Sequence, residues 1–403
     1  MENKITFKAT FILTMVLLII SVEQTVAQIA NNFPFDSLIQ NDPDVIFTEM
    51  FEGSMNNLTS SGNWNTVSPN PSNIQSDPSV PNGSHGTQSL RLITIQDGTN
   101  HNQNTLVYKM ITPDITDSIF IRYYIKYDTN TRYHHSGLWV GGKNPPSSIP
   151  GNIGGTLPLG NQEFHVGTEV TGSTPSNNTL FGLYTYWMGM HQSSLPPPNN
   201  YFGNEFYNNT TNDNINLASW NCIEIMVKLN NPVSATNGEI KLWINGNLIS
   251  NLGYQFPTGT WSFNHFTEGS GIPFEGFQFR NDNALNLNYI WLRNFNDMNS
   301  VGHQGNIYFD HLVVAKKYIG PISTTLTTGL DDNYIPIDII LYPNPANEIV
   351  NFSTTIKNLS ITNVFGQVIL QVKDISNVST ESLKDGLYII QADNRIHKLI
   401  IKH

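Results

Sequence analysis

The sequence predicts an all-β chain: two packed antiparallel sheets, followed by a second, smaller β unit. Three observations carry this. Strand-length segments alternate apolar and polar residues, turns rich in Gly, Pro, Asn, Ser and Thr separate them, and no stretch shows a helical period, a heptad or an internal repeat. Only 13% of the 403 residues are charged while 11% are aromatic, a balance that suits a loop-rich sandwich with an aromatic core.

Taken in order, residues 1–27 carry Lys4 and Lys8, an apolar run over 11–20 and then Thr25-Val26-Ala27. A positive start, a short apolar core and a small-residue site read as a secretory signal peptide cleaved after Ala27. The apolar run falls short of the roughly 20 residues a membrane span needs, and no later stretch reaches that length either. Residues 28–44 read as a linker. The main domain, 45–320, opens on Phe47-Thr-Glu-Met-Phe-Glu-Gly53 and a strand at 89–92. Residues 120–128 then alternate, with Ile121, Tyr123, Ile125 and Tyr127 on one face and Arg122, Tyr124 and Lys126 on the other. Residues 222–229 form another strand. Residues 239–244 and 247–249 flank Asn245-Gly246, the pair a tight hairpin turn requires. Strands at 274–280 and 306–314 complete the set.

The order of these pieces resembles the concanavalin-like jelly roll over residues 45–320, with the last strand returning beside the first. Jelly-roll polysaccharide lyases, glycoside hydrolases and carbohydrate-binding modules share that layout, so the resemblance implies a fold more than an activity. After a linker at 321–336, residues 337–403 read as a small β-sandwich of short strands punctuated by turns. Tyr342-Pro-Asn-Pro345, Asn363-Val-Phe-Gly-Gln367 and Gly386-Leu-Tyr388 closely resemble the type A C-terminal sorting domain of the type IX secretion system of Bacteroidetes. That resemblance implies the secretion machinery as a partner, passage across the outer membrane, and then removal of the tail or attachment at the surface.

The net charge is −11. The signal segment carries two acids and two bases, and the tail from Ile337 carries six of each, so the excess lies wholly within 28–336. Such a domain is not expected to bind nucleic acid or an anionic membrane nonspecifically. The one cysteine, Cys222, permits no intrachain disulfide and sits in an apolar strand pattern, as an inert core residue does.

Against this acidic background, four of the main domain's twelve Lys and Arg residues fall together: Arg122, Lys126, Arg132 and Lys143, with Asp128 the only acid among them. The segment between includes Tyr133-His134-His135 and Trp139. A polymer of uronic acids needs such a place, because its carboxylate must be neutralised before the adjacent C5 proton can leave. A Tyr or His then takes that proton, and another protonates the leaving oxygen. Residues 123–127 followed by Gly141-Gly-Lys143 resemble a strand and turn of some alginate-lyase-like enzymes. On the residues alone, His134 and His135 either line a cleft or occupy a surface loop.

The segment 183–191 adds Tyr184 and Tyr186 on one strand face and His191 on the other; either tyrosine is a candidate acid or base with His191 as partner, or the strand is a core edge with Trp187 buried. Gln278 and Arg280 share a face at the end of 274–280 and are candidate ligands for a carboxylate or sugar hydroxyls, or members of a structural salt bridge. The candidate catalytic residues are thus His134, His135, Tyr184, Tyr186 and His191. The candidate substrate-binding residues are Arg122, Tyr124, Lys126, Arg132, Trp139, Lys143, Gln278 and Arg280. Jelly-roll relatives often bind a structural calcium between an acid near the first strand and an Asp on the last, so Glu49, Glu52 and Asp310 are either such ligands or ordinary surface carboxylates. No organic cofactor is expected.

Retaining glycoside hydrolysis needs two carboxylates about 5 Å apart, and no motif such as Glu-x-Asp-x-x-Glu supplies them; Glu163, Glu169, Glu205, Glu224 and Glu275 occur singly. Gly-x-Ser-x-Gly, His-Glu-x-x-His and phosphate loops are absent. The leading expectation is a secreted lyase that cleaves an anionic, uronate-bearing polysaccharide of the ulvan, alginate or glucuronan type by β-elimination. The alternatives are a noncatalytic carbohydrate-binding or adhesion protein, with Trp139, Trp187, Trp243 and Trp261 as stacking groups, and a glycoside hydrolase on the same fold.

Overall fold

The computed structural model describes residues 28–60, 62–68, 71–98, 104–149, 151, 153–170, 178–198, 200–207, 213–295, 299–324, 341–364, 367–392 and 395–403. The signal peptide and most of the second linker lie outside these residues. The chain divides into two compact units, Met1–Thr327 and Thr328–His403.

In the first unit the early strands are β1 (Val45–Glu49), β2 (Thr66–Ser68), β3 (Ile74–Asp77), β4 (Ser89–Ile95), β5 (Asn104–Ile115), β6 (Ser118–Tyr127), β7 (Gly137–Lys143), β8 (Glu163–Val170) and β9 (Asn178–Tyr186). They continue with β10 (Asn204–Phe206), β11 (Asn214–Asn216), β12 (Asn221–Lys228), β13 (Glu239–Ile244), β14 (Asn247–Leu252), β15 (Thr258–Ser262), β16 (His265–Glu268), β17 (Ile272–Pro273), β18 (Leu287–Phe295) and β19 (Gln304–Ala315). Two sheets result. The smaller runs β14-β13-β12-β6-β19-β4-β3 with β1 also on β19, and the larger runs β17-β15-β16-β10-β9-β8-β7-β18-β5-β2 with β11 also on β9. The last strand therefore pairs with the first, Phe47 opposite Val314, and the unit is a jelly-roll sandwich.

Period-two alternation decides what lies between the sheets. From the smaller sheet come Ile121, Tyr123, Ile125, Ile223, Ile225, Ile307 and Phe309; from the larger come Leu138, Val140, Phe164, Val166, Leu183 and Ile290, all buried. Tyr123 keeps its hydroxyl satisfied inside this core through a 2.7 Å hydrogen bond to Thr168 on the facing sheet. The hairpin expected around Asn245-Gly246 forms, with φ of 52° and 82° at the two turn residues.

Three local expectations change. Residues 28–44 are not a linker: three short 3-10 turns carry Ile29, Phe33 and Ile39 onto Val313, Ala315 and Ile319, covering the outward face of the smaller sheet. Residues 274–280 form no strand beyond a single bridge at Phe277. Pro273 removes a donor and Gly276 turns at φ 80°, while Phe274, Phe277 and Phe279 plug the core. Finally, β9 ends at Tyr186. Trp187 turns inward against Phe274 and Phe277 with its Nε1 donating to Asn204, so His191 is not on a strand.

The second unit has strands β20 (Leu341–Tyr342), β21 (Ile349–Asn363), β22 (Val368–Ser379), β23 (Gly386–Ala392) and β24 (Arg395–Ile401). The first half of β21 pairs with β20 and its second half with β23. The strands close around Val350, Phe352, Ile356, Ile361, Ile390 and Leu399.

Candidate functional site on the outward face of the larger sheet

Along β8 the residues alternate between core and surface. Phe164, Val166 and Thr168 point inward, so Glu163, His165, Gly167 and Glu169 share the outward face. The registers carry this row sideways: Tyr186 lies opposite His165 and Tyr184 opposite Gly167 on β9, and Glu205 on β10 lies opposite Tyr184. In the other direction, Trp139 pairs with Trp291, and Arg293 with Gly137. Gly167 is required by close packing, since a Cβ there would sit 2.7 Å from the Trp139 ring. Trp139 thus lies flat on the sheet, stacked on Trp291 at 5.5 Å. The indole Nε1 atoms of both are buried and have no hydrogen-bond partner among the described residues.

His135 approaches from the loop before β7. Its backbone is left-handed, at φ 53°, an uncommon state for a non-glycine residue that marks a functional constraint more often than chance. Its ring lies 4.5 Å from that of Tyr184 and 3.7 Å from that of His134, and its Nδ1 is 3.1 Å from a Glu169 oxygen. Burial dominates at Glu169 and pushes its carboxyl up to about 8, against the pull of His134 and Arg293. The Tyr184 and Tyr186 hydroxyls are 3.4 Å apart. Burial, with each ring beside the other, holds Tyr184 far above the ordinary phenol range, so it stays a proton donor at any working pH. Arg293 stacks over Trp291 and Phe295 at 4.9 and 4.6 Å, with its Nε donating to Asn104.

At the other end of the row, Tyr289 donates to the Phe164 carbonyl, and its oxygen lies 2.9 Å from His165 Nδ1. His165 Nε2 is 2.9 Å from Glu163 but off the line a hydrogen bond needs, so the pair is a charge contact rather than a well-made bond. Burial works against the Glu163 carboxylate, but His165, Lys143 and the Gly151 N–H outweigh it and hold the group below the usual range.

The structure therefore brings together His134, His135, Tyr184, Tyr186 and Trp139, with Lys143 on the same face, paired opposite Glu163. It separates the others. Arg122, Tyr124 and Lys126 lie on the outward face of the opposite sheet. Arg122 is fully buried beneath the N-terminal turns, where its Nη2 is 2.6 Å from Asp36; Asp36 also takes His311 Nδ1 at 2.8 Å. Ser84 continues this chain from His311 Nε2. Its serine–histidine–aspartate order resembles a hydrolase triad, but Arg122 already neutralises Asp36 and Ser84 Oγ accepts the Gly86 N–H, so the network clasps the N-terminal segment to the sheet. Tyr124 donates no side-chain bond to a cleft: its oxygen accepts from the Ile322 N–H. Lys126 donates to Ser79 and stacks on Tyr308.

Arg132 is an exposed loop residue tied to Asn299 through its backbone. Gln278 donates to the Val233 carbonyl, and Arg280 is spent on Leu285, Asn286 and Thr116. His191 stands apart from the tyrosines, bonded to Glu275 at 2.8 Å. The three acids expected to hold calcium do not meet. Glu49 accepts from Trp64 and Phe51, and Glu52 accepts from Thr87 and Gln88. Asp310 alone keeps a buried, unpartnered Oδ2, with its carboxyl pushed up to about 8 by burial. Among the described residues no group of three acids, histidines or cysteines comes together to hold a metal.

Sequence reading missed Glu163, His165, Glu169, Glu205, Tyr289, Trp291 and Arg293. The signal for the β8 residues was present: Glu163-Phe-His-Val-Gly-Thr-Glu169 is a period-two strand with every second residue polar or glycine.

The description of secretion-system C-terminal sorting domains fits residues 340–402. The second unit is a sorting domain. With it at its C-terminus, the protein takes the type IX route to the cell surface or the medium. No helix among the described residues is long and apolar enough to cross a membrane. No curated protein matches the chain.

Among solved structures, the chain is similar to alginate lyase Aly36B in complex with an alginate tetrasaccharide, at 16% identity and a TM-score of 0.43, over 70% of this chain and 96% of that one. It is likewise similar to alginate lyase vAL-1 from a Chlorella virus, at 17% identity and a TM-score of 0.43, over 68% of this chain and all of that one. A third is an endo-β-1,4-glucuronan lyase from the fungus Trichoderma reesei, at 11% identity and a TM-score of 0.35, over 62% of this chain and 90% of that one. Identities this low leave activity to be argued from the site.

Proposed function

We propose that the protein is a secreted polysaccharide lyase that cleaves a uronate-bearing polymer by β-elimination on the outward face of the larger sheet. The observation that carries this reading is the convergence of His135 and Tyr184, ring to ring at 4.5 Å, beside two buried indole N–H groups that lack partners. Once Glu169 ionises, as the pH rises towards about 8, it accepts the Nδ1 proton of His135 and leaves Nε2 as the base that takes the C5 proton. Tyr184, kept protonated by burial, donates to the departing O4, with Tyr186 beside it to relay the proton. Arg293 supplies the positive charge that neutralises the sugar carboxylate and so stabilises the carbanion-like transition state. Trp139 and Trp291 offer a flat apolar floor.

A second reading is favoured by one feature. Glu169 is kept protonated at neutral pH while Glu205 lies nearby on β10, a pairing of acid and carboxylate that glycoside hydrolysis uses. Against it, the Tyr207 ring packs over Gly182, the residue between their strands, and hydrogen-bonds Glu169. That ring occupies the space a scissile bond would need between the two groups.

The test is to incubate the mature chain with a panel of uronate polymers. The expected result is ultraviolet absorbance from the new C4–C5 double bond on at least one polymer. New reducing ends without that absorbance would favour the hydrolase, and binding with neither product would leave a noncatalytic binding protein.

A further inference from the structure

Beyond the tyrosine–histidine cluster, on the strands that continue the same sheet, lies a second open groove lined by His191, Gln192, Tyr201, Trp261 and Phe263. Trp261 stands on the core-facing side of the sheet, in register with Phe266, Phe206 and Leu183, so the groove opens at the rim of the core near the strand ends. The His191 ring stacks on Trp261 at 3.9 Å and 12°, and Glu275 fixes both, bonding His191 Nε2 at 2.8 Å and accepting from Trp261 Nε1 at 3.2 Å. Burial opposes ionisation of Glu275, but these bonds outweigh it and hold its carboxyl below the usual range. Gln192 donates to the Tyr201 hydroxyl at 2.8 Å.

Phe263 is the feature that asks for a role. It is the first of the two residues that turn β15 into β16, and its φ is 53°. Two-residue hairpins reserve that position for glycine, asparagine or aspartate, because a side chain there is strained. A bulky aromatic residue occupies it instead and is 64% exposed. The fold gains little burial from this side chain, and the turn would form more easily without it. Strain that burial does not offset collects at functional sites.

We propose that this groove binds one pyranose ring of the polymer, stacked by its apolar face on Phe263 and hydrogen-bonded through its hydroxyls to Gln192 and His191. Among the described residues that line it there is no Lys or Arg, and Glu275 already holds His191, so the subsite reads hydroxyls and ring shape rather than a carboxylate. That division of labour leaves the carboxylate to Arg293. A polar pair set in an aromatic wall is the usual composition of a small-molecule site. From β9, which carries Tyr184, the path to β15 crosses three strand spacings through β10 and β16, on the order of 14 Å. Tyr184 is in register with Glu205, His265 and Ser262, so Trp261 faces the other way, and a polymer reaches the groove by passing over the strand ends beside the Phe263 turn.

The inference rests on the proposed lyase reading and on the polymer passing over the strand ends of this sheet, so its test separates binding from turnover. Phe263→Gly removes the ring and relieves the turn, so the variant is expected to fold and to melt no lower than the native chain. Retardation in gels containing each polysaccharide reads binding directly, and cleavage kinetics read turnover. The expected result is about tenfold weaker retardation, a correspondingly higher KM on long polymer with kcat unchanged, and no change on fragments too short to span the two places. Unchanged retardation by every polymer, or no polymer retarded by the native chain, overturns the subsite. If native retardation falls on Phe263→Gly while no polymer is ever cleaved, the subsite stands and the lyase reading fails.

Discussion

Replacing Arg122 with Met tests which face of the sandwich is functional. Arg122 lies in an apparently outward strand position, yet it has no exposed surface, and Asp36, its partner at 2.6 Å, is buried to the same degree. Methionine keeps the length and the apolar stem but leaves the Asp36 carboxylate buried with only His311 to answer it. Burial disfavours the charge on Asp36, and Arg122, helped by His311, reverses this and holds the carboxyl below the ordinary range. Removing one partner of such a pair costs about 3–5 kcal/mol. For a large domain, at about 2–4 °C per kcal/mol, the midpoint of thermal unfolding should fall by on the order of 10 °C. Thermal unfolding followed by near-ultraviolet circular dichroism gives that number, and cleavage kinetics well below the lowered midpoint should match the native chain. A variant that melts normally but no longer acts on polymer would refute the assignment and place substrate on the smaller sheet.

Tyr184→Phe should lower kcat by about a hundredfold or more, the scale of lost acid–base catalysis, while the long 3.4 Å contact to Tyr186 means little loss of melting temperature; equal activity in Tyr184→Phe and the native chain would remove Tyr184 from the mechanism. Trp139→Ala should cost about 3–5 kcal/mol of stability, because it opens a cavity over Gly167, and should raise KM as well. The pH dependence of stability follows from Glu169, Asp310 and Glu224, which burial pushes up to about 8, 8 and 7. Each binds its proton more tightly folded than unfolded, so its contribution is complete below the ordinary carboxyl range and is lost as the pH rises through those values. The melting temperature should therefore fall between about pH 5 and pH 9, and Asp310→Asn should flatten that decline; a melting temperature that rises over the same range would contradict the burial of these groups.

Much of the fold was legible because it depends on local pattern. The alternation at 120–128, the Asn245-Gly246 turn and the return of 306–314 beside the opening strand are all decided by side-chain period and turn chemistry, and each is found in place. The sorting domain was legible for the same reason, its turns lying in short motifs such as Tyr342-Pro-Asn-Pro345. Arg122, Tyr124 and Lys126 show where such reading stops. Their alternation marks them as off the core face, but nothing local says that residues 28–44 fold back over them. Arg122 then serves a buried aspartate 86 positions earlier in the chain.

The candidate site was half legible. His134, His135 and Trp139 stood out as a cluster in sequence, and Tyr184 and Tyr186 as a strand face, yet what unites them is the register of β7, β8 and β9. Glu163 and Glu169 were discounted as single acids, although their period-two spacing with His165 already placed them on one face. Arg293 offered less signal. It becomes notable only because β18 pairs with β7 and sets it beside Trp139 and Trp291.

The mass of the products tests the central claim most directly. Elimination breaks the glycosidic bond without adding water, whereas hydrolysis adds one water for each bond broken. Mass spectrometry of oligosaccharides released by the mature chain from a uronate polymer should therefore show an unsaturated, water-deficient sugar at each new non-reducing end, abolished in Tyr184→Phe. Fully hydrated fragments from the native chain would contradict the lyase account.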